Sequence, residues 1–498
     1  MKAVVFSVIA LFLSLALLVS GSAMLGTLIA LRLDMEGVPE AALGVVMAAY
    51  SLGFIIGATY AVNVIRKVGH IRAFAVFAAV ACATTLAHPL IVSAETWALM
   101  RVVVGICLAG LMTVTESWIN DRATNESRGK LLGIYTINFY LASATGQLLV
   151  GLGNPMEYVV FSFVAMLIVL SMVPLALTQS LIPTSPSLTE TLSTRTLVRQ
   201  APAGMTGVLA SGVALGAFLS LAPVYALRVG LDVGQLSLYM GFSVICAVLL
   251  QWPAGWLSDR IGRLPVLTGL LFCGALAAAI TAVLGSLSLI ALFLFSGVFF
   301  AVAASTYPVS VALANDQFSN DQLVAACAGL LRTYGVGTML GPLFAAALMG
   351  AFGAPALFIF ICVCLLTAGA AVFYVFRASD LVPVEEQGEY VTVAPVSTSV
   401  LTEIDPRNEE FEEHHPGEPA EWDIADKLEM LVVDAEDHAA GMAAEAEDLP
   451  DVSEPAFYED EVAADETDDA GGASSVDESP SAYGSPPEDD ATPPRQRD

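Results

Sequence analysis

The sequence predicts an all-α integral membrane protein, with twelve transmembrane helices in two six-helix bundles and a disordered acidic C-terminal tail. Of its 498 residues, 56% are hydrophobic and only 14% are charged, and a soluble protein of this length could not cover so much apolar surface with polar groups. Residues 1–380 hold 16 Lys and Arg and 14 Asp and Glu, whereas residues 381–498 hold 4 and 35. The net charge of −29 therefore belongs to the tail.

Twelve apolar segments recur before the tail, and most have the length of about 20 residues that an α-helix needs to cross the hydrocarbon core. Helices are required because the bilayer offers no water to backbone polar groups. Residues 1–24 also resemble a secretory signal, but the apolar run continues to Leu31 without a polar cleavage boundary, which favours a first helix. The segments are residues 5–31, 41–65, 72–93, 97–119, 130–152, 157–179, 204–227, 234–257, 264–285, 287–313, 322–351 and 354–376.

Basic residues lie mainly in the loops on one side of the predicted helices. With the N-terminus inside, twelve Lys and Arg residues fall in cytoplasmic stretches, whereas the external stretches carry only Arg32 and Arg228. This positive-inside bias predicts a multi-pass protein with both termini in the cytoplasm. Arg377 follows the last segment and places the acidic tail on the same side.

A repeat divides the chain into halves. The loop after the second segment contains Gly69, and the loop after the eighth contains Gly262 at the corresponding position. Six segments on each side of a Thr-, Ser- and Pro-rich stretch are typical of two parallel six-helix bundles joined by a linker. We expect an N-terminal bundle, a cytoplasmic linker, a C-terminal bundle and a disordered tail, which comprise residues 1–179, 180–203, 204–378 and 379–498.

The loop after the eighth segment resembles the signature of the major facilitator superfamily. Every fixed position of that signature is occupied, by Gly255, Leu257, Asp259, Arg260, Gly262 and Arg263. The first-half copy retains Gly69 but has Arg66 in place of the aspartate, and Arg101 with Gly105 looks like the family's fourth-helix motif. The resemblance covers residues 1–380 and implies that these loops act in conformational exchange. We expect the two loops to contribute unequally to this exchange, because Asp259 has no acidic counterpart in the first half.

Short segments in both halves look like the YcaD-like branch of that superfamily. They are Gln251–Pro253, Tyr307–Val309, Pro223–Tyr225, Glu116–Ser117, Arg128–Leu132 and Gly146–Val150. This resemblance implies a secondary transporter of the inner (cytoplasmic) membrane that moves a small-molecule substrate.

Three ionisable residues within the apolar segments are candidates for transport or coupling, since a charge inside a membrane is costly and usually functional. Arg101 either faces a central cavity, where it senses a proton or an anionic substrate, or extends to the external interface. Glu116 is either a proton carrier or gate anchor, or a helix-end acid paired with Arg122 or Arg128. Arg332 either recognises an anionic group or forms a salt bridge between the halves.

Several polar and aromatic residues are expected to line a substrate cavity. Each also has the alternative role of joining helices through hydrogen bonds. These candidates are Tyr135, Asn138, Gln147, Tyr225, Gln251 and Tyr307.

The sequence contains no phosphate-binding loop of the Gly-x-x-x-x-Gly-Lys-Ser/Thr type, which disfavours ATP-driven transport. No metal site or catalytic constellation is found, so we expect no cofactor and no enzyme. The pattern favours a secondary transporter that is coupled to protons through Glu116 and Arg101. The alternatives are a non-transporting sensor that signals through its tail, and a multidrug-type efflux protein. The expected partners are a small molecule, protons and the lipid bilayer, but no nucleic acid.

The tail combines low hydrophobicity with high net charge, which predicts disorder. One apolar island with helical spacing either docks on a cytoplasmic partner or on the protein's own basic loops, or forms a transient helix without a partner. It consists of Trp422, Ile424, Leu428, Leu431 and Val432.

Overall fold

The computed structural model describes residues 2–121, 123–124, 126–176, 192–319, 322–378, 390, 394, 397–398 and 400–406. Regular structure within these residues consists of α-helices and short 3₁₀ turns, as the apolar segments predict. The helices are α1 Lys2–Met35, α2 Glu40–Val68, α3 His70–Ala87, α4 Ala94–Asp121, α5 Arg128–Leu149, α6 Tyr158–Leu170, α7 Met172–Ala176, α8 Thr194–Gln200, α9 Pro202–Arg228, α10 Val233–Ile261, α11 Arg263–Leu284, α12 Leu289–Asn315, α13 Leu323–Phe352 and α14 Ala356–Ala378. The apolar island around Trp422 and most of the predicted linker lie outside the described residues.

Eleven of the described helices are long and apolar enough to cross a membrane. The predicted span 130–152 forms α5, which is not among the eleven, because Asn, Thr and Gln side chains lower its hydropathy. Some of these side chains bind α1. Asn138 donates to the Phe12 carbonyl at 3.2 Å, and the Gln147 side-chain oxygen accepts from the Thr27 hydroxyl at 2.6 Å. The predicted count of twelve spans is therefore supported for eleven helices, and the twelfth is not confirmed.

Helices approach closely where glycine leaves out a side chain. In the first half, α2 and α4 cross at Gly53 and Gly105, and a Cβ on Gly105 would lie 2.3 Å from the Tyr50 carbonyl oxygen. In the second half, α9 and α13 cross at Gly212 and Gly337. Such contacts suit membrane helices, whose association depends on close backbone approach.

The two halves, α1–α7 and α9–α14, meet along two seams. At one seam α2 packs on α13, where Gly44 lies beside Pro342. At the other α5 packs on α10, where Gly241 lies beside Leu148. The seams hold the halves side by side.

The sequence repeat corresponds to a structural repeat. A single glycine joins α2 to α3 and another joins α10 to α11, and both have positive φ, +83° at Gly69 and +89° at Gly262. A residue with a Cβ would be strained at such a φ. Both glycines therefore let one helix end and the next begin within a single residue.

The bundle has two ends that differ in their contacts. At one end, which we call the latch face, Arg228 at the end of α9 binds Asp34 at 2.7 Å and Glu40 at 2.9 Å. At the other end, which we call the tail face, residues 400–406 of the predicted tail lie against α4, α5 and α13. This stretch includes a 3₁₀ turn, Leu401–Ile404.

The packing of α2 on α4 predicts the effect of adding one methyl group. Gly105→Ala places a Cβ against the Tyr50 carbonyl and is expected to lower the free energy of unfolding by about 1–3 kcal/mol. Gly269→Ala on α11 is the matched control, because its Cβ meets nothing within 4 Å. Thermal unfolding of the purified variants checks this, and equal melting temperatures for the two variants would contradict the packing.

Candidate functional site

A central cavity of about 280 Å³ lies between the halves. Helices α1, α2, α4 and α5 line it from the first half, and α9 and α13 line it from the second. Its wall combines apolar side chains with polar ones, and the polar ones include Ser22, Thr27, Tyr50, Ser51, Arg101, Gln147, Ser220, Arg332, Tyr334 and Thr338. A cavity that both halves share can change its access when the halves move.

Arg101 is buried in this cavity wall. Its side chain is on α4, and the residue is only 4% exposed. The guanidinium lies 4.4 Å from the centroid of the Tyr50 ring, a cation–π contact that offsets part of the cost of desolvation. Its Nε has no hydrogen-bond partner among the described residues. Arg101 therefore places a buried positive charge in the cavity wall.

Arg332 and Gln147 also line the cavity, from opposite halves. Arg332 is exposed on α13, in the second half. Gln147 on α5 is fixed in place, because it accepts from the Thr27 hydroxyl and donates to the Ala23 carbonyl at 3.4 Å. The structure thus brings together three of the residues that the sequence singles out, Arg101, Arg332 and Gln147.

Glu116 lies on α4 toward the tail face and is fully buried. It is not among the residues that line the cavity. One carboxylate oxygen accepts from the Tyr135 hydroxyl at 2.5 Å, and the other accepts from the Thr398 backbone N–H at 2.7 Å and from the Thr398 hydroxyl. Of its two expected ion-pair partners, Arg122 lies outside the described residues, and Arg128 donates to the carbonyls of Asp405 and Pro406. Glu116 is therefore held by neutral donors in the part of the chain that the structure describes.

Tyrosines from both halves form a cluster between the cavity and the tail face. Tyr307 and Tyr334 pack edge to face with centroids 4.8 Å apart, and the Gln251 amide donates to the Tyr140 hydroxyl at 3.3 Å. Tyr140 also lies near Tyr307 and Tyr334. Tyr334 lines the cavity, so the cluster forms its boundary on that side. We call Tyr140, Gln251, Tyr307 and Tyr334 the tyrosine cluster.

The other predicted cavity residues lie elsewhere. Tyr135 binds Glu116, and Gln251 and Tyr307 belong to the tyrosine cluster. Asn138 bonds to the α1 backbone. Tyr225 packs edge to face on Phe358 at 4.9 Å. None of these five lines the described cavity, because each is turned toward a neighbouring helix.

The loop between α10 and α11 is anchored by a buried ion pair. Arg263 donates to the Asp316 carboxylate and, at 2.8 Å, to the Ala312 carbonyl, and both members of the ion pair are almost fully buried. At the corresponding position of the first half, His70 bonds to Ser117 at 2.9 Å. Both contacts tie the start of the third helix of a half to the end of its fourth. The first half therefore has a neutral hydrogen bond where the second has an ion pair.

The remaining loop residues make contacts of their own. Arg260 lies 4.1 Å over the Trp256 ring, and Gly255 lies against the Tyr390 ring. Asp316 was missed in the sequence, although a signal exists. The fourth helix ends in Asn-Asp in both halves, at residues 120–121 and 315–316.

The fold and the sequence define a family. The family model of the Major Facilitator Superfamily matches residues 11–303 and also 206–404. The chain therefore belongs to the Major Facilitator Superfamily, whose members transport solutes across membranes.

Similar proteins indicate the branch of the superfamily to which the chain is related. The chain is 32% identical over 351 residues to the uncharacterized MFS-type transporter YcaD of Escherichia fergusonii, and the aligned region covers 70% of this chain and 90% of that protein. It is 30% identical over 358 residues to YcaD of Salmonella enteritidis, and the aligned region covers 71% of this chain and 92% of that protein. The predicted resemblance to the YcaD-like branch is confirmed.

Solved structures show the same fold. The nucleoside transporter NupG matches with a TM-score of 0.60 and 14% identity, over 76% of this chain and 100% of that one. A bacterial homologue of the human lysosomal transporter Spinster, inward-facing and unoccupied, matches with a TM-score of 0.64 and 16% identity, over 78% and 98%. At these identities the likeness concerns the fold alone.

The buried pair Arg263–Asp316 predicts that losing one member destabilises the protein more than losing both. Arg263→Met leaves the Asp316 carboxylate without its main cation and is expected to destabilise the protein by about 3–5 kcal/mol. The double variant Arg263→Met, Asp316→Leu is expected to recover much of that loss, because no charge stays buried alone. His70→Ala is the first-half control and should cost less than Arg263→Met, because it leaves no charge buried alone. Thermal unfolding measures all three, and a double variant less stable than the single one would refute the pairing.

Proposed function

We propose that this protein is a secondary active transporter that moves a small solute across the cytoplasmic membrane by alternating access. The observation that carries the proposal is the central cavity, because both halves line it and each contributes an arginine. A site between two repeats that rock against each other is what alternating access requires. The uneven distribution of Lys and Arg supports the tail face as cytoplasmic and the latch face as external.

The ion pairs at the latch face suit a gate. Arg228 belongs to the second half, whereas Asp34 and Glu40 belong to the first. These side chains are 16% to 31% exposed, and ion pairs with such exposure contribute only about 0–1 kcal/mol each. Breaking them costs little, so the latch face can open without disturbing either bundle.

The solute that the cavity favours is a small organic anion. Arg101 and Arg332 supply positive charge from opposite walls, and Gln147 with Ser and Thr hydroxyls supplies further hydrogen bonds. Apolar wall residues such as Phe54 and Leu108 would contact the carbon skeleton. Multidrug-type efflux is the competing possibility, because an apolar wall also accepts lipophilic cations.

Proton coupling through Glu116 is part of the proposal. A buried carboxylate whose partners are a phenol and a Thr residue, with no cation among its described bonds, can exist in either protonation state without leaving an opposite charge unpaired. Its place on α4, the helix that also carries Arg101, connects the proton site to the cavity through one rigid element.

A membrane sensor is the second candidate. The contact between Glu116 and Thr398 favours it, since a tail that touches the bundle could report a conformational change. Deletion of residues 381–498 distinguishes the two functions, because a sensor would lose its output whereas a transporter would still carry solute.

Ligand screening tests the cavity. Small organic anions are expected to raise the melting temperature of the purified protein more than neutral or cationic compounds of similar size. Arg101→Gln and Arg332→Gln should each weaken this binding about tenfold to a hundredfold, because each removes charge-assisted hydrogen bonds. Arg377→Gln is the control, since Arg377 is exposed and stacks on Phe373 outside the cavity. Stabilisation by lipophilic cations instead would support efflux and oppose the anion proposal.

Flux measurements test the coupling. With an anion found by the screen, uptake into proteoliposomes is expected to rise severalfold when a pH gradient is imposed. Glu116→Gln keeps the size of the side chain but removes its proton exchange, so the variant should transport at the same rate with and without the gradient. A gradient response that survives in Glu116→Gln would place the proton site elsewhere.

A further inference from the structure

The chain returns to the bundle after α14. Among the residues beyond Ala378, the structure describes 390, 394, 397–398 and 400–406, which we call the return segment. On the second half, the Tyr390 ring lies on α10 at Gly255, so closely that a Cβ there would be 2.3 Å from a ring carbon. The 3₁₀ turn of the segment also packs on α13.

On the first half, the return segment forms hydrogen bonds to α4 and α5. Thr398 gives both its N–H and its hydroxyl to Glu116. Glu403 accepts from the Asn120 amide at 2.6 Å, and Arg128 donates to the Asp405 and Pro406 carbonyls at 3.2 and 2.8 Å. Both carboxylate oxygens of Glu116 are therefore in use.

Burial accompanies these polar contacts. Ala394, Leu401 and Ile404 are completely buried, and Val400 is 3% exposed. Thr398 and Ser397 are also buried. Apolar burial together with matched donors and acceptors is the pattern of a specific interface rather than of an incidental contact.

We propose that the tail-face ends of α4, α5, α10 and α13 are a docking surface for this chain's own return segment, and that the docked segment keeps the tail face closed. The segment touches both halves, so the halves cannot separate at that face while it is seated. The latch face is closed by the Arg228 pairs in the same structure. On this proposal the segment must leave before the halves can separate at the tail face and let a solute pass.

The covalent connection of the segment to α14 favours this docking. Only a short connection joins the end of α14 to Tyr390, and such a connection gives a high effective concentration, about millimolar, of the segment at its surface. A few hydrogen bonds and buried side chains then suffice to keep it seated. Docking also covers Glu116, and this part of the inference rests on the proposed role of Glu116 in proton coupling.

The experiment uses the full chain and needs no substrate, so its outcome is independent of whether transport is observed. Thr398→Pro removes both donors to Glu116, because proline has neither an N–H nor a hydroxyl. Gly255→Ala displaces Tyr390 from the opposite side of the interface. Thr467→Pro, in the part of the tail outside the described residues, is the control.

Docking is measured by trypsin cleavage after Arg407, the residue that follows Pro406. Asp405 and Pro406, whose carbonyls bind Arg128, must enter the protease cleft for this cleavage, so the segment has to leave its surface. Thr398→Pro and Gly255→Ala are expected to speed this cleavage about tenfold. Cleavage after Lys427 in the same molecules is the internal reference and should not change.

Closure is measured by labelling Ala328→Cys with a water-soluble maleimide, in a full chain whose seven native cysteines are replaced by serine. Ala328 lines the cavity at the first turns of α13 and is 7% exposed. Labelling should be slow with the native segment or with Thr467→Pro, and about tenfold faster with Thr398→Pro or Gly255→Ala. Faster cleavage without faster labelling would overturn the closure, and no change in either would overturn the docking.

Discussion

The cost of placing charge inside an apolar bundle organises this structure. A charged side chain within the helices needs a partner or a polar cavity, and the protein meets that need in three ways. Arg263 is fixed to Asp316. Glu116 is held by the hydroxyl of Tyr135 and by Thr398, donors that can be exchanged. Arg101 stacks on Tyr50 and lines the central cavity. The first way builds a rigid joint, the second suits the releasable contact that we propose, and the third suits the proposed binding site.

The strength of the contacts divides the molecule into parts that stay together and parts that can separate. Within each half, backbone-to-backbone packing at glycines such as Gly105 and Gly337, and the buried Arg263 pair, resist change. The halves also pack on each other along the α2–α13 and α5–α10 seams. The contacts that close the two faces, in contrast, are partly exposed ion pairs at Arg228 and a short docked segment. Strong contacts within the halves and weak ones across the faces favour rigid-body movement of two bundles, which is the motion that a shared cavity needs.

The sequence predicts the helices and the repeat well, because span length and loop glycines are local properties. The positions of Gly69 and Gly262 at single-residue joints follow directly from it. It predicts site residues less evenly. Arg101, Arg332 and Gln147 line the cavity, but Tyr135, Gln251 and Tyr307 face other helices. The length of a span does not reveal which way a helix is rotated in the bundle. The partner of Glu116, Thr398, lies 282 residues further along the chain, in a tail whose composition predicts disorder.

The two halves differ in the contacts of their corresponding loops, and the return segment forms most of its described hydrogen bonds with the first half. The second half fixes the joint between its third and fourth helices with a buried ion pair, whereas among the described residues of the first half the corresponding contact is the hydrogen bond of His70 to Ser117. The return segment places most of its described hydrogen bonds on that first half, at Glu116, Asn120 and Arg128. The second half thus stabilises this joint with its own ion pair. The first half gains additional contacts from the return segment, which on our proposal can leave. The half with the weaker loop is also the one that carries Glu116, so a single displacement would loosen the tail face and expose the carboxylate together.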